Sequence, residues 1–104
     1  MTKLLKVLKS KNKKYKYTAY FLLDNGKEKK TNFGAAGMSD YLIYYKDEGE
    51  KKAKERRELY RKRHAKDLRT NDPTRAGYLS YYLLWGDTPS LGGNIKLYKK
   101  RFNL

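Results

Sequence analysis

The dipeptide Asn25-Gly26 lies between two strand-like stretches and limits, more than any other feature, the folds open to this chain. Residues 15–23, with the sequence YKYTAYFLL, are rich in aromatic side chains and alternate in part, and residues 27–33 follow the dipeptide. Asn-Gly between extended segments is the strongest short-range hairpin signal, because both central residues of a type I′ turn need a positive φ. The sequence therefore predicts an antiparallel hairpin in which Gly26 has a positive φ.

A two-residue loop at Asn25 and Gly26 would also set the register of the hairpin. The cross-strand partners would be Leu22 with Lys29, Tyr20 with Thr31, and Thr18 with Phe33. One face would then hold Thr18, Tyr20, Leu22, Thr31 and Phe33, and the other would hold Tyr17, Ala19, Phe21, Leu23, Glu28, Lys30 and Asn32. The second strand would carry lysines on both faces, as expected of an edge strand protected against aggregation.

The segments around this hairpin are less regular. Residues 1–13 form either a flexible basic arm or a first strand, because their apolar residues are few and lie among lysines. Residues 33–41 indicate a loop, in which two glycines bracket Ala-Ala, and residues 41–45 indicate a short extended segment.

A first helix is predicted from Asp47 and Glu50, which have the spacing of a capping box. We expect it to end near Asp67 or Leu68, before the turn residues that follow. Nearly all of its surface is charged. Its thin apolar stripe consists of Ala53, Tyr60, His64 and Leu68, helped by Leu59.

Two more helices are predicted in the C-terminal third. Asp72 is placed to act as an N-cap and Pro73 to take the first helical position of a helix over residues 73–85. This helix is apolar nearly all round and should be the most buried element. Residues 88–90, Thr-Pro-Ser, open the last helix, and its apolar stripe consists of Leu91, Ile95, Tyr98 and Phe102.

These elements predict one α+β domain over residues 1–104, with a small N-terminal antiparallel β-meander of two or three strands followed by three helices. Leu, Ile, Val and Phe account for only 20 of the 104 residues, a fraction that raises the question of disorder. Eleven tyrosines and one tryptophan supply the missing apolar area. The core is therefore expected to be aromatic.

Composition narrows the classes of function. The chain has no cysteine and one histidine, which excludes disulfides, thiolate metal sites and multi-histidine metal centres. His64 with Asp67 or Asp40 is a weak candidate acid-base pair. The Gly34–Gly37 loop lacks the Lys-Ser/Thr of a P-loop. We therefore expect a protein that is not an enzyme, binds no cofactor, metal or small-molecule substrate, spans no membrane and is not secreted.

A net charge of +15, from 26 basic and 11 acidic residues, predicts a negatively charged partner. Seven basic residues lie between Arg56 and Arg69, in the second half of the first predicted helix and just after it, and arginine's planar fork suits bidentate contacts to phosphate. These candidate nucleic-acid-binding residues are Arg56, Arg57, Arg61, Lys62, Arg63, Lys66 and Arg69. The alternative is an ordinary solvated helix face, with Glu58 and Lys62 as an i,i+4 ion pair.

The hairpin supplies a second candidate surface, in which aromatic rings alternate with lysines. Rings for base stacking beside lysines for phosphate are the usual means of binding single strands. Its candidate residues are Lys14, Tyr15, Lys16, Tyr17, Lys29 and Lys30. The alternative is that Tyr15 and Tyr17 only continue the packed face of their strand.

Four phrases in the chain carry a resemblance. They are NFGAAGMSDY at residues 32–41, RKRHAKD at 61–67, NDPTRAGYLSYYLLWG at 71–86 and YKKRFNL at 98–104. Over residues 14–104 the chain resembles a family of short basic uncharacterised proteins encoded by large DNA viruses of algae and protists. The resemblance implies a viral origin and brings no activity or site residue.

We therefore expect a non-enzymatic, sequence-tolerant nucleic-acid-binding protein, acting in the virion or in the cytoplasm or nucleus of an infected host cell. On this hypothesis, reversing Arg57, Arg61 and Arg63 to Glu weakens binding to DNA or RNA and leaves the melting temperature nearly unchanged. One alternative is a virion structural protein, such as a minor capsid or internal cement protein, that binds acidic surfaces of viral capsid or core proteins. A further alternative is an inhibitor that coats an acidic host protein.

Overall fold

Three antiparallel strands form the N-terminal part of the chain: β1 (Lys3–Lys9), β2 (Tyr15–Leu22) and β3 (Glu28–Ala35), in the order β1-β2-β3. The computed structural model describes residues 1–104 and confirms the α+β class and the N-terminal meander. β1 pairs with β2 along its length, with a bulge at Leu5. No helix combines the length and the apolar character that crossing a membrane requires.

The hairpin between β2 and β3 has the predicted glycine but not the predicted turn. Gly26 has a φ of 81°, as expected, whereas Asn25 does not adopt a positive φ. The loop contains three residues, Asp24 to Gly26, because the Leu23 N–H donates to the Lys27 carbonyl at 2.8 Å. A three-residue loop that ends on a left-handed glycine is the next most common hairpin connection.

This extra loop residue shifts the register by one, so the predicted pairing was wrong. The observed partners are Leu22 with Glu28, Tyr20 with Lys30, Thr18 with Asn32, and Tyr17 with Phe33. A one-residue slip moves every side chain of a strand to the opposite face. Phe33 therefore joins Ala19 and Phe21 on the core face, where all three are fully buried.

Residues 41–45, predicted to be extended, are helical. Helix α1 (Tyr41–Glu48) begins where the carboxylate of Asp40 accepts a hydrogen bond from the Ile43 N–H at 3.1 Å. This N-cap outweighs the strand propensity of the tyrosines. α1 also takes up Asp47, so the predicted capping box does not form.

Gly49, with a φ of 89°, separates α1 from helix α2 (Glu50–His64). The structure consequently has four α-helices rather than the predicted three. A 3₁₀-helix over Ala65–Thr70 continues α2 and ends at Asn71, which has a φ of 52°.

Helix α3 begins at Ala76, three residues later than predicted, and runs to Leu79. Asp72 does not cap it, because both the N–H and the hydroxyl of Thr74 donate to the Asp72 carboxylate in a tight turn. A π-helical turn over Ser80–Leu84 extends α3. Helix α4 (Leu91–Arg101) begins as predicted, with the Ser90 hydroxyl accepting from the Gly93 N–H.

The core contains 12 buried apolar residues, of which half are aromatic, as expected. Five of them lie in α3, in the π-helical turn or at the residue that follows this turn, and they are Tyr78, Leu79, Leu83, Leu84 and Trp85. This confirms the prediction that the segment is central to the core. From α4, Tyr98 is buried, but Ile95 and Phe102 are only partly buried. Asn94 is buried in their place, with its amide donating to the carbonyls of Leu83 and Thr88.

Candidate nucleic-acid interface

The structure divides the seven basic residues of α2 and the 3₁₀-helix into three groups. Arg57 and Arg61 face the end of the π-helical turn. Arg57 donates to the Gly86 carbonyl at 3.0 Å, and Arg61 donates to the Trp85 carbonyl at 3.1 Å. Carbonyls at a helix C-terminus lack intrahelical partners and favour cations. These two arginines therefore join α2 to the end of the π-helical turn and are not free for phosphate.

Arg61 makes a second contact that has an electrostatic consequence. Its other guanidinium nitrogen lies 2.9 Å from a carboxylate oxygen of Asp87. This hydrogen bond and the charge of Arg61 hold the pKa of Asp87 below its usual value.

The second group comprises Lys62, Lys66 and Arg69, which we call the outer basic surface. All three side chains are exposed, and none forms an ion pair. In the 3₁₀-helix, which has three residues per turn, Lys66 and Arg69 lie one above the other. The alternative ion pair between Glu58 and Lys62 is not formed, so these charges remain available to an external anion.

The third group, Arg56 and Arg63, lies seven residues apart on α2 and so on one side of the helix. Both line a cleft of about 500 Å³ between α2 and the loop that follows β3. The remaining lining residues are Lys16, Gly34, Ala35, Met38, Ser39, Asp40, Tyr44, Leu59, Tyr60, His64, Ser80, Leu84 and Trp85.

Three aromatic rings form a column in the wall of this cleft, which we call the aromatic column: His64, Tyr60 and Trp85. The Tyr60 ring lies 4.1 Å from that of His64 and 4.4 Å from that of Trp85, at interplanar angles of 20° and 7°. At such distances each face of a ring accommodates one neighbour, so Tyr60 is stacked between the other two. Burial, together with the charge of Asp67, raises the pKa of Tyr60 to about 12.

Of the two predicted acid-base pairs, the structure forms only the one with Asp67. The His64 Nδ1 lies 2.9 Å from a carboxylate oxygen of Asp67. Asp40 instead caps α1 and lies 2.6 Å from the Lys16 ammonium, with both side chains largely buried. No group of three or more His, Cys, Asp or Glu side chains is arranged to hold a metal ion.

The predicted hairpin residues do not form one surface. The ammonium of Lys16 is held by Asp40, and that of Lys29 donates to the Thr74 hydroxyl at 2.9 Å. Tyr17 stacks on Phe33 at 5.8 Å, which agrees with the packed alternative. The residues that stay exposed are Lys14, Tyr15 and Lys30.

The ring that lysines contact on the sheet is that of Tyr20, which the sequence did not indicate. Tyr20 lies in β2, and the ammonium groups of Lys6 and Lys30 lie 5.0 Å and 5.6 Å from its ring centroid. These distances are those of cation–π contacts. The signal was present in the alternation of the strand, but the one-residue error in register concealed it.

The predicted Gly34–Gly37 loop begins inside β3, which runs to Ala35, and its first glycine has a packing role. Gly34 has a φ of 77°, and a Cβ added to it would lie 2.7 Å from a methyl carbon of Leu84. Only glycine therefore allows β3 and the π-helical turn to approach this closely.

The chain matches no protein-family model, and no curated protein or solved structure is significantly similar to it. The viral origin implied by the resemblance stays a prediction, and the candidate functions rest on the geometry described above.

Proposed function

We propose that this protein binds nucleic acid through its outer basic surface, without catalysis and with little preference for sequence. The observation that carries the proposal is the clustering of three exposed cations without ion pairs, Lys62, Lys66 and Arg69, at the end of α2 and in the 3₁₀-helix that continues it. Lys62 and Lys66 lie four residues apart, a spacing at which like charges destabilise a helix, so an anion that binds both relieves a repulsion.

The charge of the whole chain supports this choice of partner. With a net charge of +15, the field around the protein attracts a polyanion, and each phosphate neutralised releases a condensed counterion. Phosphate contacts position a protein without reading bases. Binding is therefore expected to be strongly salt-dependent and similar for different sequences.

The sheet offers a second area of contact. Lys6 and Lys30 present two ammonium groups beside the partly exposed ring of Tyr20. Phosphates that draw these ammonium groups away from the ring would leave it free to stack on an unpaired base. This area would favour single strands over duplex.

Fluorescence anisotropy with labelled random-sequence DNA and RNA tests the proposal. The test variant replaces Lys62, Lys66 and Arg69 with Gln, and the control variant replaces Lys51, Lys52 and Lys96, which are equally exposed and unpaired. Both variants lose three charges, so their non-specific attraction to a polyanion falls equally.

We expect the test variant to bind at least about tenfold more weakly than the control variant, on every sequence alike. Equal affinities would mean that net charge alone drives binding. If the unmodified chain bound no more tightly than a lysine-rich peptide of equal charge, the proposal would fall. The alternative of a structural protein that contacts acidic protein surfaces would then replace it.

A further inference from the structure

The cleft beside α2 has features that the outer basic surface does not use. Its volume of about 500 Å³ lies within the range of pockets that bind small molecules. Two large apolar side chains at the cleft are exposed, Met38 to 65% and Leu59 to 58%. Apolar groups beside a concave surface are more stable when a ligand covers them.

The aromatic column gives the cleft a preference for planar ligands. One face of His64 is covered by Tyr60, and the His64 side chain is still 36% exposed. The hydrogen bond that the Asp67 carboxylate accepts from His64 Nδ1 fixes the orientation of this ring. A further flat ring can therefore extend the column at the face of His64 that Tyr60 leaves uncovered.

The charges at the cleft indicate that the planar ligand is anionic. Arg63 is exposed and unpaired, and the guanidinium of Arg56 lies over the Tyr44 ring, 5.4 Å from its centroid. Lys16 and Asp40 neutralise each other. The cleft therefore presents two arginine forks, whose geometry suits phosphate oxygens.

We propose that this cleft binds one unstacked nucleotide, with the base against His64 and the aromatic column and the phosphate at Arg56 and Arg63. The inference deepens the proposed function and rests on it for the biological source of the ligand. The same chemistry belongs to a nucleotide within a single strand and to a free mononucleotide.

Trp85 makes the proposal directly measurable, because it is the single tryptophan of the chain and belongs to the aromatic column. The experiment follows its fluorescence during titration with adenosine monophosphate, adenosine or inorganic phosphate. A change that saturates with adenosine monophosphate, is weaker with adenosine and is absent with phosphate is the expected result. Equal binding of phosphate and adenosine monophosphate would reduce the site to an anion site and overturn the proposal.

Variants locate the binding. We expect Arg63→Gln and His64→Ala each to weaken the binding of adenosine monophosphate at least about fivefold, because stacking and charge-assisted contacts contribute at that level. Lys96→Gln is the matched control and should bind like the unmodified chain. Arg63 is exposed and forms no hydrogen bond or ion pair, so its variant keeps the test valid even if His64→Ala is unstable. Unchanged binding by Arg63→Gln would contradict the proposal.

An oligonucleotide separates this inference from the proposed function. If the source is a single strand, Arg63→Gln and His64→Ala should weaken the binding of a deoxyadenosine decamer as well as that of adenosine monophosphate; if the cleft serves free nucleotides, they should weaken only the latter. If the decamer binds while the two variants leave the affinities for both the decamer and adenosine monophosphate unchanged, the cleft proposal fails and the proposed function stands. If adenosine monophosphate binds in the cleft and no polymer binds, the proposed function fails and the cleft proposal stands.

Discussion

Removing Arg61 should destabilise the fold, although the sequence places this residue on a charged helix. Its guanidinium donates to the Trp85 carbonyl at 3.1 Å and to Asp87 at 2.9 Å, and its side chain is only 27% exposed. The Asp87 contact is half in solvent and contributes little. Removing Arg61 takes this charged donor from the Trp85 carbonyl, and such a hydrogen bond contributes about 1.5–3 kcal/mol.

We therefore expect Arg61→Ala to lower the free energy of unfolding by about 1.5–3 kcal/mol and the melting temperature by about 6–15 °C. Urea denaturation followed by circular dichroism measures the first quantity. Arg63→Ala is the control, because this exposed neighbour forms no hydrogen bond or ion pair and should change stability by less than about 0.5 kcal/mol. Equal stabilities of the two variants would refute the structural role of Arg61.

This prediction corrects the expectation that reversing Arg57, Arg61 and Arg63 leaves the melting temperature nearly unchanged. It rested on the assumption that every basic residue outside the apolar stripe of the first predicted helix is solvated. Two of the three instead hold the end of the π-helical turn, so their reversal would place carboxylates against backbone carbonyls. A loss of nucleic-acid binding in that triple variant could follow from unfolding alone.

Further predictions follow from packing and from pKa shifts. Leu83→Ala should cost about 2–5 kcal/mol in thermal or urea unfolding, because this side chain is fully buried. Gly26→Val should cost about 1–2 kcal/mol through its positive φ alone, and Gly34→Val should cost more because its side chain would also overlap the core; equal losses in urea unfolding would contradict the close packing. Because Arg61 lowers the pKa of Asp87 in the folded state, the resulting stability is present above the unfolded pKa and lost as pH falls through the folded pKa. Urea midpoints below about pH 4 should therefore fall less steeply for Asp87→Asn than for the unmodified chain, and parallel curves would count against the ion pair.

Local signals predicted much of the fold. Gly26 marked the hairpin, and Ser90 marked the start of α4, because each residue supplies a backbone conformation or a cap that its neighbours need. Gly49 was passed over, although a glycine inside a predicted helix is a natural place for a break. The register of the hairpin depends on whether the loop has two or three residues. The turn sequence alone does not distinguish these lengths, whereas the burial of Phe33 does.

The site was less predictable because its contacts join distant parts of the chain. Arg57 and Gly86 lie 29 residues apart, and no local pattern distinguishes an arginine that caps a turn from one that faces solvent. The sequence of α2 does contain a local signal of the cleft. Arg56, Leu59, Tyr60 and Arg63 follow the i, i+3, i+4, i+7 spacing of one helix face, which mixes rings with arginines.

The central claim is that Lys62, Lys66 and Arg69 contact phosphates, and the salt dependence of binding tests it most directly. Contacts to about five phosphates predict that log K falls with log salt at a slope of about −4 to −5 on duplex DNA. Replacing these three residues with Gln should make the slope shallower by about 2–3, because each lost phosphate contact removes nearly one unit. The control variant at Lys51, Lys52 and Lys96 should keep the original slope. A test variant with an unchanged slope, or a control variant with an equally reduced one, would contradict the assignment of the outer basic surface.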